Sequence, residues 1–445
     1  MDNKGIWSCR IYKKCWMKLI LLGAFVLTLI PLHANALELE KNVFYVSSNG
    51  DDSNDGTLDA PWRTIQRAAD KMEAGDTVYV REGKYSEFVH ITVSGSQEDG
   101  YISFKAFPGE APVLDGSNLT LEDGNRALFY LENASYITVK GFEIRNLSTN
   151  DSNKYPAGIL VSEGGSDIQL VDNNIHHIKN ESKKGNAHGI LFYGNSTNTM
   201  SRIKVQNNEI HHLILGSSES LTLSGNIDGF IISDNSIHHN NNIGIDVAGF
   251  YGACQSNCRD QVRNGKIANN QVYNNSSGNN PAYKGSNSAA GIYADGSTDI
   301  VIENNLVYNN DFGIELASEN NGKQTSYITA KNNIIYNNNG AGIIIGGANQ
   351  SNGGAYKNVI SNNILNFNDQ LGEGYGDITV QWNVEENQFL NNIIYSKNPK
   401  NNIQLNDKKE KSNLFLNNRI YTFIMQPSLA NRITTKIKDL MIAKD

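Results

Sequence analysis

The sequence predicts an all-β chain, a right-handed parallel β-helix solenoid with a short N-terminal capping helix. Three observations predict it. An Asn-x-(Ile/Val/Leu) corner recurs at Asn173, Asn208, Asn235, Asn270, Asn305, Asn333, Asn363, Asn392 and Asn418, with 26 to 35 residues between successive corners, a period that signals stacked repeats. A Gly-Ile pair follows most corners, at Gly158-Ile159, Gly189-Ile190, Gly244-Ile245, Gly291-Ile292, Gly313-Ile314 and Gly342-Ile343. The segments between are short, rich in Ile and Val, alternate with period two, and are separated by Asn, Gly and Ser, as strands and turns are. Each coil can bury its Ile side chains only against the next coil, so stability is a sum over coil interfaces and the ends need covers. Asn suits the corners because it tolerates left-handed backbone and its amide can bond neighbouring backbone; stacked corners would form an Asn ladder.

The chain has 445 residues and a formal charge of −8. Residues 1–36 read as an export signal: Lys13, Lys14 and Lys18 precede the apolar run Leu19–Leu32, and Ala34-Asn35-Ala36 offers small residues for cleavage. A membrane anchor is the alternative, for which the apolar run is short. Without residues 1–36, which carry five positive charges and Asp2, the remainder sits near −12. That balance argues against nucleic-acid binding, which needs a basic surface. The exported chain is expected to be a monomer with no stable membrane insertion. Of the four cysteines, only Cys254 and Cys258 lie beyond the signal. An exported compartment favours a disulfide between them over a metal site, since no further Cys or His stands at ligand spacing.

Residues 37–90 read as the N-terminal cap. Pro61 to Met72 has helical apolar spacing and helix-forming composition, and is expected to cover the open end of the stack. The acidic turn Asp51–Gly56 superficially matches a calcium loop, but Trp62 stands where the closing Glu should be, so a solvated turn is expected. Coils are expected over 91–421, beginning with Tyr136–Ile144 as an Asn-free corner. In 422–445, Ile433, Ile437, Leu440 and Met441 are spaced as on one helix face, giving a helical C-terminal cap.

The opening, from Tyr45-Val46-Ser47 through Gly56-Thr57, Pro61-Trp62, Thr64-Ile65 and Gly75-Asp76-Thr77-Val78-Tyr79-Val80 to Gly83-Lys84-Tyr85, resembles the start of secreted β-helix proteins of the pectate-lyase-like superfamily. That superfamily includes family 9 polysaccharide lyases, chondroitinase-B-like and alginate lyases, and β-helical glycosidases of the lacto-N-biosidase type. The resemblance implies the fold and an activity on carbohydrate. The Asp-rich calcium cluster and Lys base of the family 9 lyases have no residue-by-residue counterpart here, so the reaction has to be argued from the site itself.

Aligning the Gly-Ile strands on their inward Ile places the next residue outward. That outward column reads Leu191, Thr222, Asp246, Tyr293 and Glu315, and the column two residues further along reads Tyr193, Ser224, Ala248 and Asp295. Three carboxylates thus fall on three consecutive coils, with Asp246 and Glu315 about 10 Å apart and Asp295 about 8 Å from each. Acids so spaced can hold a calcium ion jointly or flank a glycosidic bond. Long segments at 249–264 and 273–290 bracket these coils and bring Tyr251, Arg263, Tyr283 and Lys284 toward them. Tyr193 and Tyr293, with Tyr251 and Tyr283, are the expected substrate contacts. Arg263 or Lys284 is the expected base.

The first expectation is therefore a lyase acting on an acidic polysaccharide, with calcium held by Asp246, Asp295 and Glu315. A hydrolase using paired carboxylates is the second, and a non-catalytic glycan binder the third. Glu303 and Glu319 read as solubilising. The pairs His176-His177, His211-His212 and His238-His239 recur at equivalent places beside the corner and read as turn packing. His188 stands at the cleft edge.

Overall fold

The computed structural model describes residues 41–122, 126–255, 257–397, 402–406 and 412–422. The expected export signal, the first residues of the cap and the C-terminal helix fall outside them.

The described chain winds through three long parallel sheets, and every strand pairs with its counterparts one coil away. Val, Ile, Leu and Phe fill one continuous core between the sheets. The N-terminal cover is a short helix, α1 (Ile65–Ala69), with Ile65, Ala68 and Ala69 buried and Thr64 as its N-cap. The Glu87 carboxylate accepts from the backbone N–H groups of Ile65 and Gln66 at 3.0 and 2.9 Å, satisfying two donors the first turn leaves open. The acidic turn is tied to the same helix entry, because Asp52 accepts from the N–H groups of Arg63 and Thr64, both at 2.9 Å.

All nine corner asparagines stack into the expected ladder. At its centre, Asn305 donates from Nδ2 to Ile267 O and to Asn333 Oδ1, both at 3.0 Å. It accepts at Oδ1 from Asn270 N and Nδ2. The left-handed residue is one position earlier than expected: Asp172, Asn207, Asp234, Asn269 and Asn304 have φ of 57° to 60°. The ladder Asn is thus kept for its amide, and the preceding residue takes the turn. Gly141, with φ 84°, plays that part in the Asn-free corner, where Phe142 N donates to Asn173 Oδ1 and ends the ladder. A second ladder runs through Asn240, Asn275, Asn310, Asn338 and Asn368.

The Gly-Ile pairs position the functional face. In the eleven-stranded sheet we number the strands β1 (Ala127–Glu132), β2 (Ala157–Ser162), β3 (His188–Gly194), β4 (Leu221–Gly225), β5 (Ile245–Ala248), β6 (Ala290–Asp295) and β7 (Phe312–Ala317). Ala157 pairs with His188 and Ile159 with Ile190, so no residue is inserted, yet alternation breaks at the pair because both of its residues face the core. A Cβ on Gly189 would stand 2.7 Å from Ile210 Cγ2, and one on Gly313 2.5 Å from Ile335 Cγ2; only Gly fits. The break also leaves the residue before each Gly outward, adding a third outward column to the two expected from alternation.

Candidate active site

The register on the outward face agrees with the expected one. Thr222 pairs with Asp246, Asp246 with Tyr293 and Ala248 with Asp295, and Tyr293 with Glu315. Asp246, Asp295 and Glu315 therefore stand on β5, β6 and β7 without an intervening strand. The diagonal from Asp246 to Asp295 is about 7–8 Å between backbones.

The cluster is larger than three. Glu219, immediately before β4, falls in the third outward column, and its charge is the first that Asp246 feels after the cost of burial. Glu319, just past β7, raises the pKa of Glu219, Asp295 and Glu315 and donates its backbone N–H to Asp295 Oδ1 at 3.3 Å. Asp246 and Asp295 are buried, with 5% and 3% of their surface exposed. Burial first, and neighbouring carboxylates second, push Asp246 well above the usual carboxylate range. Glu315 is pushed up to about 8 and Glu219 to about 7, again chiefly by burial. Like charges this close cannot all ionise.

Hydrogen bonds distinguish the acids. Burial first, with Glu319 and Glu219, pushes Asp295 well above the usual carboxylate range as well. Tyr251, from the loop after β5, donates its hydroxyl to Asp295 Oδ2, and this bond and the Glu319 N–H oppose the rise. Every influence on Asp246 instead favours its protonated form, and its Oδ1 is buried with no hydrogen-bond partner. Glu219 accepts from Thr222 Oγ1 at 2.9 Å, and Thr222 is bonded in turn to His188 Nδ1 at 3.0 Å. Burial lowers the His188 pKa to about 4, so the ring is neutral. With the Thr222 proton committed to Glu219, the Nδ1 of His188 is the donor.

The remaining expected residues divide. Tyr193 is 36% exposed and lines a groove of about 650 Å³ over β3 and β2, which reaches toward the acid cluster at His188 and Ser218. Tyr283 keeps its hydroxyl against Asn242 Nδ2 at 3.0 Å, and burial first, then Glu219 and other acids, raise it to about 12. Tyr293 is no stacking platform: although Asp246 and Glu315 flank it in its own column, it is buried at 4% among Phe312, Ala317 and Ile344 of the next coils. Arg263 is no base for this site. It opens a strand of a different sheet, and its guanidinium donates to Asp228 at 3.0 Å, Asn226 at 3.2 Å and Gln261 O at 2.9 Å. The residues after Tyr251 turn the corner before Arg263 is reached, which carries it off the acid-bearing face. Lys284 is exposed on its loop and makes no ion pair with the acids. Cys254 and Cys258 are joined by a disulfide in the Tyr251 loop.

For calcium, the fit is poor. Among the described residues no three His, Cys, Asp or Glu side chains converge as ligands of one metal ion, and the Tyr251 hydroxyl occupies one Asp295 oxygen. The six histidines beside the corner stack in two columns, with His176 on His211 at 4.9 Å and His211 on His238 at 5.2 Å, which is the expected turn packing.

Glu219 and Glu319 escape strict alternation for different reasons. Glu219 lies two residues before Leu221, where His188 lies before Ile190, and that alignment is the signal that finds it. Glu319 has no column equivalent and reveals itself only through space.

The model of the Pel9A-like, right-handed β-helix region matches residues 44–395. The Bacillus subtilis (strain 168) protein YwoF is 38% identical over 378 residues, 85% of this chain and 79% of its own length. Pectate lyase PEL9 of Emericella nidulans is 34% identical over 113 residues, 23% of this chain and 27% of that enzyme. Among solved structures, the GH136 lacto-N-biosidase of Eubacterium ramulus has the same fold, with a TM-score of 0.63 at 15% identity over 86% of this chain and 68% of that one. A β-helix whose family match covers nearly every described coil, with acids gathered on one outer wall, is thus a member of the Pel9A-like right-handed β-helix family.

Proposed function

We propose that this chain hydrolyses a glycosidic bond, with Asp246 as general acid and Asp295 as the carboxylate that activates water. The observation that carries the reading is the contrast within the pair. Asp246 is buried with an unpartnered Oδ1, while Asp295 is held by Tyr251 and the Glu319 N–H. A carboxyl with no partner on a buried oxygen suits the acid, and one held by two donors that stabilise its charge suits the base. Asp246 passes its proton to the glycosidic oxygen as the C–O bond breaks. Water attacks the anomeric carbon from the opposite face and gives its proton to Asp295. Their backbones stand about 7–8 Å apart on the diagonal, which leaves room for the wider carboxyl separation that inverting enzymes need.

A wall of five acids repels a uronate at the cleavage point, so the sugars flanking the broken bond are neutral in this reading. The lyase alternative has in its favour the local likeness to pectate lyase PEL9, but Arg263 is committed to Asp228 and the acids among the described residues do not converge as ligands of one calcium ion. The Cys254–Cys258 disulfide supports an oxidising, extracytoplasmic location. Asp246→Asn tests the assignment: reducing-end release from a panel of neutral oligosaccharides should fall about 100- to 10,000-fold with the far-ultraviolet spectrum unchanged. Activity within threefold of wild type removes Asp246 from the mechanism.

A further inference from the structure

The groove beside the acid wall carries cations as well as an acid, with Arg126 and Lys154 beside Glu122 in its lining. Its floor over β2 and β3 is apolar, formed by Ala157, Leu160 and Leu191, with Tyr193 at the edge. At its far end stand Arg126 and Lys154. Arg126 immediately precedes β1, is exposed, and its charge reaches the Tyr130 and Tyr193 hydroxyls. Its guanidinium makes no hydrogen bond or ion pair among the described residues. Arg145, Arg202 and Arg263 by contrast each hold a carboxylate.

From β1 to β5 the wall advances by four strands, about 19 Å, so the cation lies several sugar rings from Asp246. We propose that this groove binds the distal part of the glycan and that Arg126 recognises an anionic group there, a carboxylate or a sulfate. A planar guanidinium matches either anion with paired hydrogen bonds. The apolar floor takes the flat faces of the intervening rings, with Tyr193 stacking at the edge. The substrate class is thus an oligosaccharide with a neutral linkage at the acid wall and an acidic sugar several residues away. This rests on the cleavage point lying at Asp246, but the groove itself is tested by binding alone.

The test uses the full chain carrying Asp246→Asn, applied to an array of neutral, carboxylated and sulfated glycans. Retained glycans should be enriched in anionic members, and the carboxylate and sulfate arms separate the two sources. Adding Arg126→Ala should weaken the anionic members about tenfold and leave neutral ones unchanged, whereas Tyr193→Ala should weaken both. Retention of neutral glycans only, retention of none, or an equal effect of Arg126→Ala on all would overturn the proposal. Arg126-dependent retention together with a wild-type protein that cleaves none of the retained glycans would keep the groove and dismiss the hydrolase reading.

Discussion

Replacing Tyr251 with Phe tests how hydrogen bonding sets Asp295 apart from the other four acids. The ring stays and one hydrogen bond goes, that from the hydroxyl to Asp295 Oδ2. A hydrogen bond to a charged group contributes about 1.5–3 kcal/mol, which at about 1.36 kcal/mol per unit is about 1–2 pKa units. Tyr251 is 49% exposed, so water replaces part of the bond and about 1 unit remains. The sign follows from which form the bond favours. Burial and neighbouring acids already raise Asp295, and the Tyr251 hydroxyl opposes them; without it the carboxyl holds its proton to higher pH. The acid limb of kcat/KM should therefore move upward by about 1 unit, costing about tenfold in rate on that limb and little on the plateau. A carboxyl-carbon NMR titration of Asp295 reads the same shift without turnover. A limb and a titration that stay in place, in a variant that is folded, would refute the division of labour between Asp295 and Asp246.

Two further outcomes concern the scaffold. Asn305→Ala strips buried partners from Asn270 N and Ile267 O and should cost about 3–5 kcal/mol in denaturant melts, at about 1–3 kcal/mol for each orphaned group; a loss under about 1 kcal/mol would deny the ladder its role. The histidine array should make the fold acid-sensitive. Glu143 faces His176 and Glu209 faces His238, at 3.2 and 3.1 Å, so those Nε2 atoms carry hydrogen, and the Nδ1 contacts of 2.6 and 2.8 Å within the pairs then need His177 and His239 as donors. Burial first, and neighbouring histidines with Lys179 and Arg145, hold His177 below its ordinary value; burial likewise lowers His239, and takes His211 to about 4. The unfolded chain takes up these protons first, so the contribution is present above pH 6.5 and is lost as pH falls toward 4. For His211, which is partly exposed, this is about 1–2 kcal/mol after allowing for screening. Replacing the three pairs by Tyr-Asn, as at Tyr273-Asn274 and Tyr308-Asn309, should flatten melting temperature between those pH values; an unchanged slope would contradict it.

The ladder and the pairing of β4 to β7 were legible because the residues that fix them recur once per coil. Asn173, Asn305 and their counterparts report a corner, Ile190, Ile245 and Ile314 a core position, and the outward acids follow by counting. Counting fails where the backbone breaks period two. Ser220 and Leu221 are both fully buried, as the Gly and Ile of the other coils are, so two successive residues face the core and Glu219 before them joins the cluster although strict alternation assigns it elsewhere. Arg263 was misplaced for a related reason: linear distance from Asp246 says nothing about a corner that moves the chain onto another sheet. Tyr293 sits on the correct face, but Phe312, Ala317 and Ile344 cover it, and covering is a property of neighbouring coils taken together.

The reaction itself is tested most directly by running it in oxygen-18 water in the presence of a calcium chelator and weighing the products. Hydrolysis at the acid wall predicts heavy oxygen at the anomeric carbon of each new reducing end, on the inverted face, with the chelator making no difference. Products that carry no label and show the absorbance of an unsaturated uronate, formed only when calcium is restored, would contradict the account.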